Sequence, residues 1–180
     1  MFVQTEETPN PNSLKFLPGK NVSNSGPYEI TNKEDIQNEL VRNILSINGV
    51  EGIFLGQDFI SVNKKENTKW EEIKHIVISL INDFYSDGKE FVIDENLKDE
   101  DLELSEIESK IVKILEEKIR PAVARDGGDI KFKEFKNGVV KVQLHGSCSG
   151  CPSSTMTLKQ GVQNLLCHYL PEVKEVVAIQ

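Results

Sequence analysis

At 180 residues the chain can form one ordinary domain or two small ones. Lys plus Arg number 21 against 29 Asp plus Glu, a formal net charge of −8, which argues against nucleic-acid binding because a phosphate backbone is gripped mainly by clustered Lys and Arg. No apolar run approaches the roughly 20 residues a membrane-spanning helix requires, so a membrane partner is not expected either.

In chain order, Phe2 to Glu6 and Leu14 to Leu17 have strand character, separated by a turn at Thr8-Pro9-Asn10-Pro11-Asn12, where two prolines restrict the residues before them. Ile36, Leu40, Ile44 and Ile47 recur at helical spacing, which predicts a helix from about Lys33 to Ser46 with Asn32 as its cap. Val50 to Leu55 and Phe59 to Asn63 predict a hairpin around Gly56-Gln57-Asp58. Trp70, Ile73, Val77, Leu80, Ile81 and Phe84 then share one face of a helix over about Lys69 to Phe84. The order ββαββα predicts a small sheet with two helices on one side.

Asp87 to Glu103 holds eight acids and two lysines, a net of −6. Charge at that density resists collapse and predicts an extended acidic linker, with Phe91-Val92-Ile93 as a short apolar interruption. Beyond it, Ile107, Ile111, Ile114, Leu115 and Ile119 mark a helix from Glu106 to about Val123, and Ser105 with Glu108 has the spacing of a capping box. Asp126-Gly127-Gly128-Asp129 breaks the chain. Ile130 to Phe135 and Val139 to Leu144 flank Asn137-Gly138, a strong hairpin signal. A helix over about Ser154 to Tyr169, with Leu158, Val162, Leu165, Leu166 and Tyr169 inward, and a strand over Val173 to Ile179 complete αββαβ. The expected fold class is therefore α+β, two small α/β units. Their expected bounds are 1–86 and 105–180, joined by a linker over 87–104.

The stretch Gly146-Ser147-Cys148-Ser149-Gly150-Cys151-Pro152-Ser153-Ser154 lies between a predicted strand and a predicted helix. Two residues between cysteines let both sulfurs face one metal centre. The glycines clear side chains from the loop, and Pro152 suits a first helical turn. Backbone N–H groups at a helix start stabilise thiolates, and the polar neighbours argue against burial of the pair. Three chemistries compete. A thioredoxin-type redox pair would follow a strand–helix unit, whereas here a helix and a hairpin come first. Zinc needs four N or S ligands, and the nearest addition, His145, alternates opposite Val140, Val142 and Leu144 and is expected to face solvent. An iron–sulfur cluster usually takes four thiolates. The remaining Cys167 lies about 24 Å farther along the predicted helix, off its apolar stripe, and cannot reach the same centre. Two ligands per chain imply a cluster shared across a twofold axis, exposed enough to be surrendered. Asp126 to Asp129 could line the loop or position a partner, though a tight helix-to-strand turn is the simpler role. Ser153, Ser154 and Thr155 read as helix caps.

Three segments, in this order, resemble the Nfu (NifU-like) family of iron–sulfur cluster carriers. They are Thr5 to Phe16, Glu116 to Asp129 with Arg120-Pro121 and Arg125-Asp126-Gly127-Gly128-Asp129, and Leu144 to Pro152 with the cysteine pair. The resemblance implies that Cys148 and Cys151 bind a [4Fe–4S] cluster bridging two protomers. It also implies a homodimer through the second domain, a cluster received from an upstream scaffold and passed to apo-proteins, and no catalytic residue. The start Met1-Phe2-Val3-Gln4-Thr5-Glu6-Glu7 has neither the pattern of a secretory signal nor the Arg-rich, acid-poor composition of a transit peptide. A bacterial cytoplasmic member is therefore expected. The rivals from other classes are a thiol–disulfide oxidoreductase using Cys148 and Cys151, and a zinc-bound interaction module.

Overall fold

The structure, a computed structural model, describes residues 2–23, 27–34, 36–91, 103–149 and 152–179, with the side chains of the last stretch described from 155 onward. In the N-terminal half, β1 (Gln4–Glu7), β2 (Ser13–Leu17), β3 (Tyr28–Ile30), β4 (Val50–Leu55) and β5 (Ile60–Lys64) form one antiparallel sheet in the order β1-β2-β5-β4-β3. Helices α1 (Glu39–Leu45) and α2 (Trp70–Ser86) bring Leu40, Ile44, Ile73, Val77 and Ile81 onto a core with Leu14, Phe16, Ile53, Leu55, Ile60 and Val62. The sequence pattern missed β3. Three residues with Glu29 at the centre give too little alternation to stand out. The first helix begins later than expected. Its cap is Asn38, whose Oδ1 accepts from Val41 N at 3.2 Å. Asn32 instead closes a local turn by accepting from Glu34 N at 3.1 Å.

Alternation gives this sheet a second face. The residues between the core positions line up in one row across the strands: Glu6 is paired with Lys15, Lys15 with Ser61, Ser61 with Phe54, and Phe54 with Glu29. Lys15, Ser61 and Phe54 are nonetheless buried, because the C-terminal half covers this row.

The C-terminal half opens with α3 (Glu106–Ile114), a π-helical turn over Leu115–Ile119, and α4 (Arg120–Arg125). The Ser105–Glu108 capping box is present. The helical run extends past Val123 but is not uniform. Pro121 has no N–H for the carbonyl a turn earlier and its ring crowds that carbonyl, so the helix widens just before it. Strands β6 (Gly128–Lys136) and β7 (Val139–Gly146) form the expected hairpin, with Asn137 at φ 53° and Gly138 at φ 79°, and β8 (Glu175–Ile179) joins β7 in parallel. Helix α5 (Pro152–Tyr169) lays Val162 and Leu166 on a core with Ile111, Leu115, Val123, Ile130, Val140, Val142 and Val176. Tyr169, expected to point inward, is exposed. Leu170, just past the helix, fills the buried position.

Phe91 packs on Phe84 and Tyr85, with ring centroids 5.0 and 6.1 Å away, so this part of the acidic stretch joins the first core. Val92 and Ile93 and the rest of the stretch to residue 102 lie outside the described residues.

Candidate metal centre

Cys148 follows the end of β7, and α5 begins four residues later at Pro152, the proline-led strand–loop–helix passage that the spacing predicts. Cys151 lies outside the described residues. The loop is held by backbone hydrogen bonds and three hydroxyls. Ser147 N donates to Gly127 O at 3.2 Å, and Ser147 Oγ donates to Asp126 O. Ser149 N and Oγ both donate to Gly146 O, at 3.2 and 2.9 Å. Thr155 Oγ1, from the first turns of α5, donates to Cys148 O at 3.1 Å. The Asp126–Asp129 turn therefore does more than reverse the chain: it is the floor of the cysteine loop. Gly127 sits at φ +80°, a conformation that glycine adopts without strain. Gly128 lies directly under the sulfur, where a Cβ would stand 2.7 Å from Cys148 Sγ. Asp129 is 3% exposed and its carboxylate is matched by Arg120, with Nε to Oδ1 at 2.8 Å and Nη2 to Oδ2 at 3.0 Å. This fork-on-fork pair ties α4 to the start of β6.

Three expectations are corrected here. Cys148 is buried at 7% exposure, not open, and its thiol is pushed up to about 11, mainly by burial and further by the charges of Asp126 and Asp129, with Ser147 acting in the opposite direction. The polar neighbours that argued for exposure spend their hydrogen bonds within the loop. His145 does not face solvent: its Nδ1 lies 2.5 Å from Glu29 Oε2, and Glu29 Oε1 accepts from Gly146 N at 3.0 Å. Strand alternation does place His145 on the far side of β7 from its core, but the N-terminal half occupies that side. Cys167 is not turned away from apolar surface either. It packs against the second core, and its Sγ donates to Val173 O at 3.2 Å. It does sit near the far end of α5, well removed from the loop.

A cavity of about 540 Å³ opens beside the sulfur, lined by Cys148, Ser147, Asp126, Ile119, Val123, Leu158 and Pro9 among others. Among the described residues, no three or more His, Cys, Asp or Glu side chains converge in a way that could hold a metal ion. Cys148 supplies the described sulfur donor at this site, in a pocket cleared by glycines, and sulfur is the ligand that an iron–sulfur cargo takes. Sequence reasoning missed Glu29 altogether, and missed the anchoring bonds of Ser147 and the pairing of Arg120 with Asp129. Arg120 and Asp129 lie in a segment singled out for its resemblance, but nothing in spacing links residue 29 to residue 145.

Residues 3–88 match the family described as scaffold protein Nfu/NifU N terminal, and residues 101–177 match the NifU-like domain. "NifU-like protein 4, mitochondrial" of Arabidopsis thaliana is 42% identical over 184 residues, spanning 98% of this chain and 65% of its own length. "NFU1 iron-sulfur cluster scaffold homolog, mitochondrial" of Homo sapiens is 42% identical, spanning 98% of this chain and 71% of its own, and the Drosophila sechellia protein of the same name is 43% identical, spanning 98% and 64%. The chain thus spans about two thirds of the length of these relatives. The solution structure of a NifU-like protein from Saccharomyces cerevisiae is 30% identical, covers 53% of this chain and 86% of its own, and superposes with a TM-score of 0.47. The Drosophila and human relatives are named as scaffolds, not as enzymes. The expectation of a bacterial cytoplasmic protein is overturned, since these relatives are mitochondrial proteins of a plant, an insect and a mammal. A compartment is read from an address outside the fold, so the acidic residues that open the matched region never carried that information.

Proposed function

Because the chain belongs to the Nfu family of NifU-like proteins, we propose that it carries an iron–sulfur cluster as cargo, bound through Cys148 and Cys151. The cluster is a [4Fe–4S] unit bridging two protomers of a homodimer, received from an upstream scaffold and passed to apo-proteins. The carrying observation is the loop itself. A cysteine stands between the end of β7 and the proline-led start of α5, on a floor where Gly128 leaves room only for sulfur, and Cys167 is set near the other end of that helix. One chain then offers two thiolates of the four that such a cluster takes, and a second chain supplies the rest. The division into residues 1–86, a linker over 87–104 and residues 105–180 is part of the same proposal. It is supported by two separate sheets and two separate apolar cores.

The chain's own residues hold the loop in register. Thr155 and Ser147 fix its backbone, and the Arg120–Asp129 pair fixes the turn beneath it. The test is anaerobic reconstitution with iron and sulfide, followed by iron and sulfide counts per chain and native mass. About two irons and two sulfides per chain in a dimer are expected. Cys148→Ala and Cys151→Ala should each abolish uptake while Cys167→Ala spares it. No iron uptake, with a reversible Cys148–Cys151 disulfide in its place, would transfer the pair to thiol–disulfide chemistry.

A further inference from the structure

The face of the N-terminal sheet turned away from its own helices is not free. It is laid over the cysteine loop, and its contacts fall on both sides of Cys148. Ser61 Oγ donates to Gly127 O at 2.7 Å, Asn63 Nδ2 to Gly146 O at 3.2 Å, Asn10 Nδ2 to Ser149 O at 3.3 Å and Lys15 Nζ to Arg125 O at 3.4 Å. Glu29 takes Gly146 N and His145 together. These bonds reach mostly backbone atoms, which a sheet face can read only where the loop has little side chain. At Gly127 a Cβ would stand 2.7 Å from Ser61 Oγ, and at Gly146 it would stand 3.0 Å from Phe54 Cγ. The two glycines that shape the loop are also what lets the sheet approach it.

We propose that this face of the N-terminal half is a docking surface for the chain's own cysteine loop, and that docking excludes the sharing of a cluster with a second chain. The inference rests on the carrier reading for its second clause alone. A shared cluster requires the partner's thiolates to come within one cluster's width of Cys148. In the docked state Cys148, which already packs on its own half's core, has Pro9 of the N-terminal half lining the cavity beside it and Asn10 bonded to the residue that follows it. The two halves must part before a second copy can approach. The interface is suited to parting. Beside a few apolar side chains, Pro9, Pro27, Phe54 and Phe59, it is held by polar groups, each of which exchanges its bond for one to water, so the net cost per bond is small. By contrast, each core is built from aliphatic and aromatic side chains that nothing in water replaces. The N-terminal half is thereby a cover for the cysteine loop as well as a neighbour to it.

The test uses the full chain carrying Cys151→Ser and Cys167→Ser, so that Cys148 is the only thiol and its reaction rate with a disulfide reagent under native conditions reports its cover. Glu29→Ala combined with Asn63→Ala removes three of these bonds and should raise that rate by at least about tenfold, the change that one net charged hydrogen bond is worth. Glu29→Gln, which keeps the side chain's size, should raise it less. Circular dichroism and Trp70 fluorescence should stay as in the parent, and if the double variant unfolds, the Glu29→Gln rate alone decides. An unchanged rate in a folded variant, or a parent rate already equal to that of the urea-unfolded chain, overturns the docking. With the native cysteines restored, the double variant should load iron faster and dimerise at lower protein concentration. Absence of iron uptake in both parent and variant would count against the carrier reading, whereas the labelling result stands apart from it.

Discussion

The two halves spend their sheets differently. The N-terminal sheet has five strands and is covered twice, by α1 and α2 on one face and by the cysteine loop's surroundings on the other. The C-terminal sheet has three strands, one packed face, and an opposite face that is covered chiefly at His145. The half that holds Cys148 thus has the smaller core, and its loop is fixed by hydrogen bonds and the Arg120–Asp129 pair as well as by the packing of Cys148 on that core. The larger half has the larger apolar core to draw on.

The sharpest way to break that comparison is a core truncation in each half. Phe16 is fully buried in β2, and Phe16→Ala should cost about 4 kcal/mol. Trp70, the chain's single tryptophan, starts α2, so its fluorescence follows the N-terminal half alone. In urea the Phe16→Ala transition seen by Trp70 should move to much lower denaturant. Leu166 is as deeply buried in the other core, and Leu166→Ala should cost about 3 kcal/mol there. It should shift the circular dichroism of the C-terminal helices while leaving the Trp70 midpoint close to its parent value. Equal shifts of both signals in both variants would show one cooperative unit and erase the distinction.

A smaller effect is expected from the ion pair under the loop. Arg120→Ala leaves the Asp129 carboxylate, 3% exposed, without its fork of donors. The cost should be about 3 kcal/mol in the C-terminal half, toward the low end for a broken buried pair because Arg120 itself is partly exposed. Arg120→Lys should recover only part of this, since an ammonium cannot satisfy both oxygens in the same plane. Full recovery would reduce the pair to simple charge neutralisation and remove its part in setting the turn.

Much of this was legible in the sequence because it is local. The hairpin at Asn137-Gly138, the capping box at Ser105, the apolar stripe of α2 and the strand–loop–helix setting of Cys148 each depend on residues close together in the chain. What escaped depends on long separation. Alternation placed His145 off its own core but could not say that Glu29, 116 residues earlier, would cover it. The burial of Cys148 escaped because its polar neighbours spend their hydrogen bonds around the loop, which leaves the sulfur free to pack on the second core. The late start of α1 is a local miss of another kind: Asn32 and Asn38 both have a cap's chemistry, and the turn at Asn32 wins the first of them.

The smallest predicted effect lies farthest from the loop. Ser105 Oγ accepts from Glu108 N at 3.4 Å, and Glu108 Oε2 accepts from Ser105 N at 2.9 Å, so each side chain satisfies a backbone donor at the start of α3. Ser105→Ala should cost about 1 kcal/mol. The bond from Ser105's backbone, with that from its hydroxyl, holds the Glu108 carboxyl below its ordinary value of 4.5. A carboxyl held low in the folded state contributes stability above its unfolded pKa and loses it as pH falls through the folded one. The gap between parent and Glu108→Gln should therefore be full at neutral pH and close as the solution is acidified below 4.5. It should appear in the circular dichroism midpoint and not in that of Trp70. A gap that stays constant from neutral pH into acid would mean that the glutamate acts by packing and not by its charge.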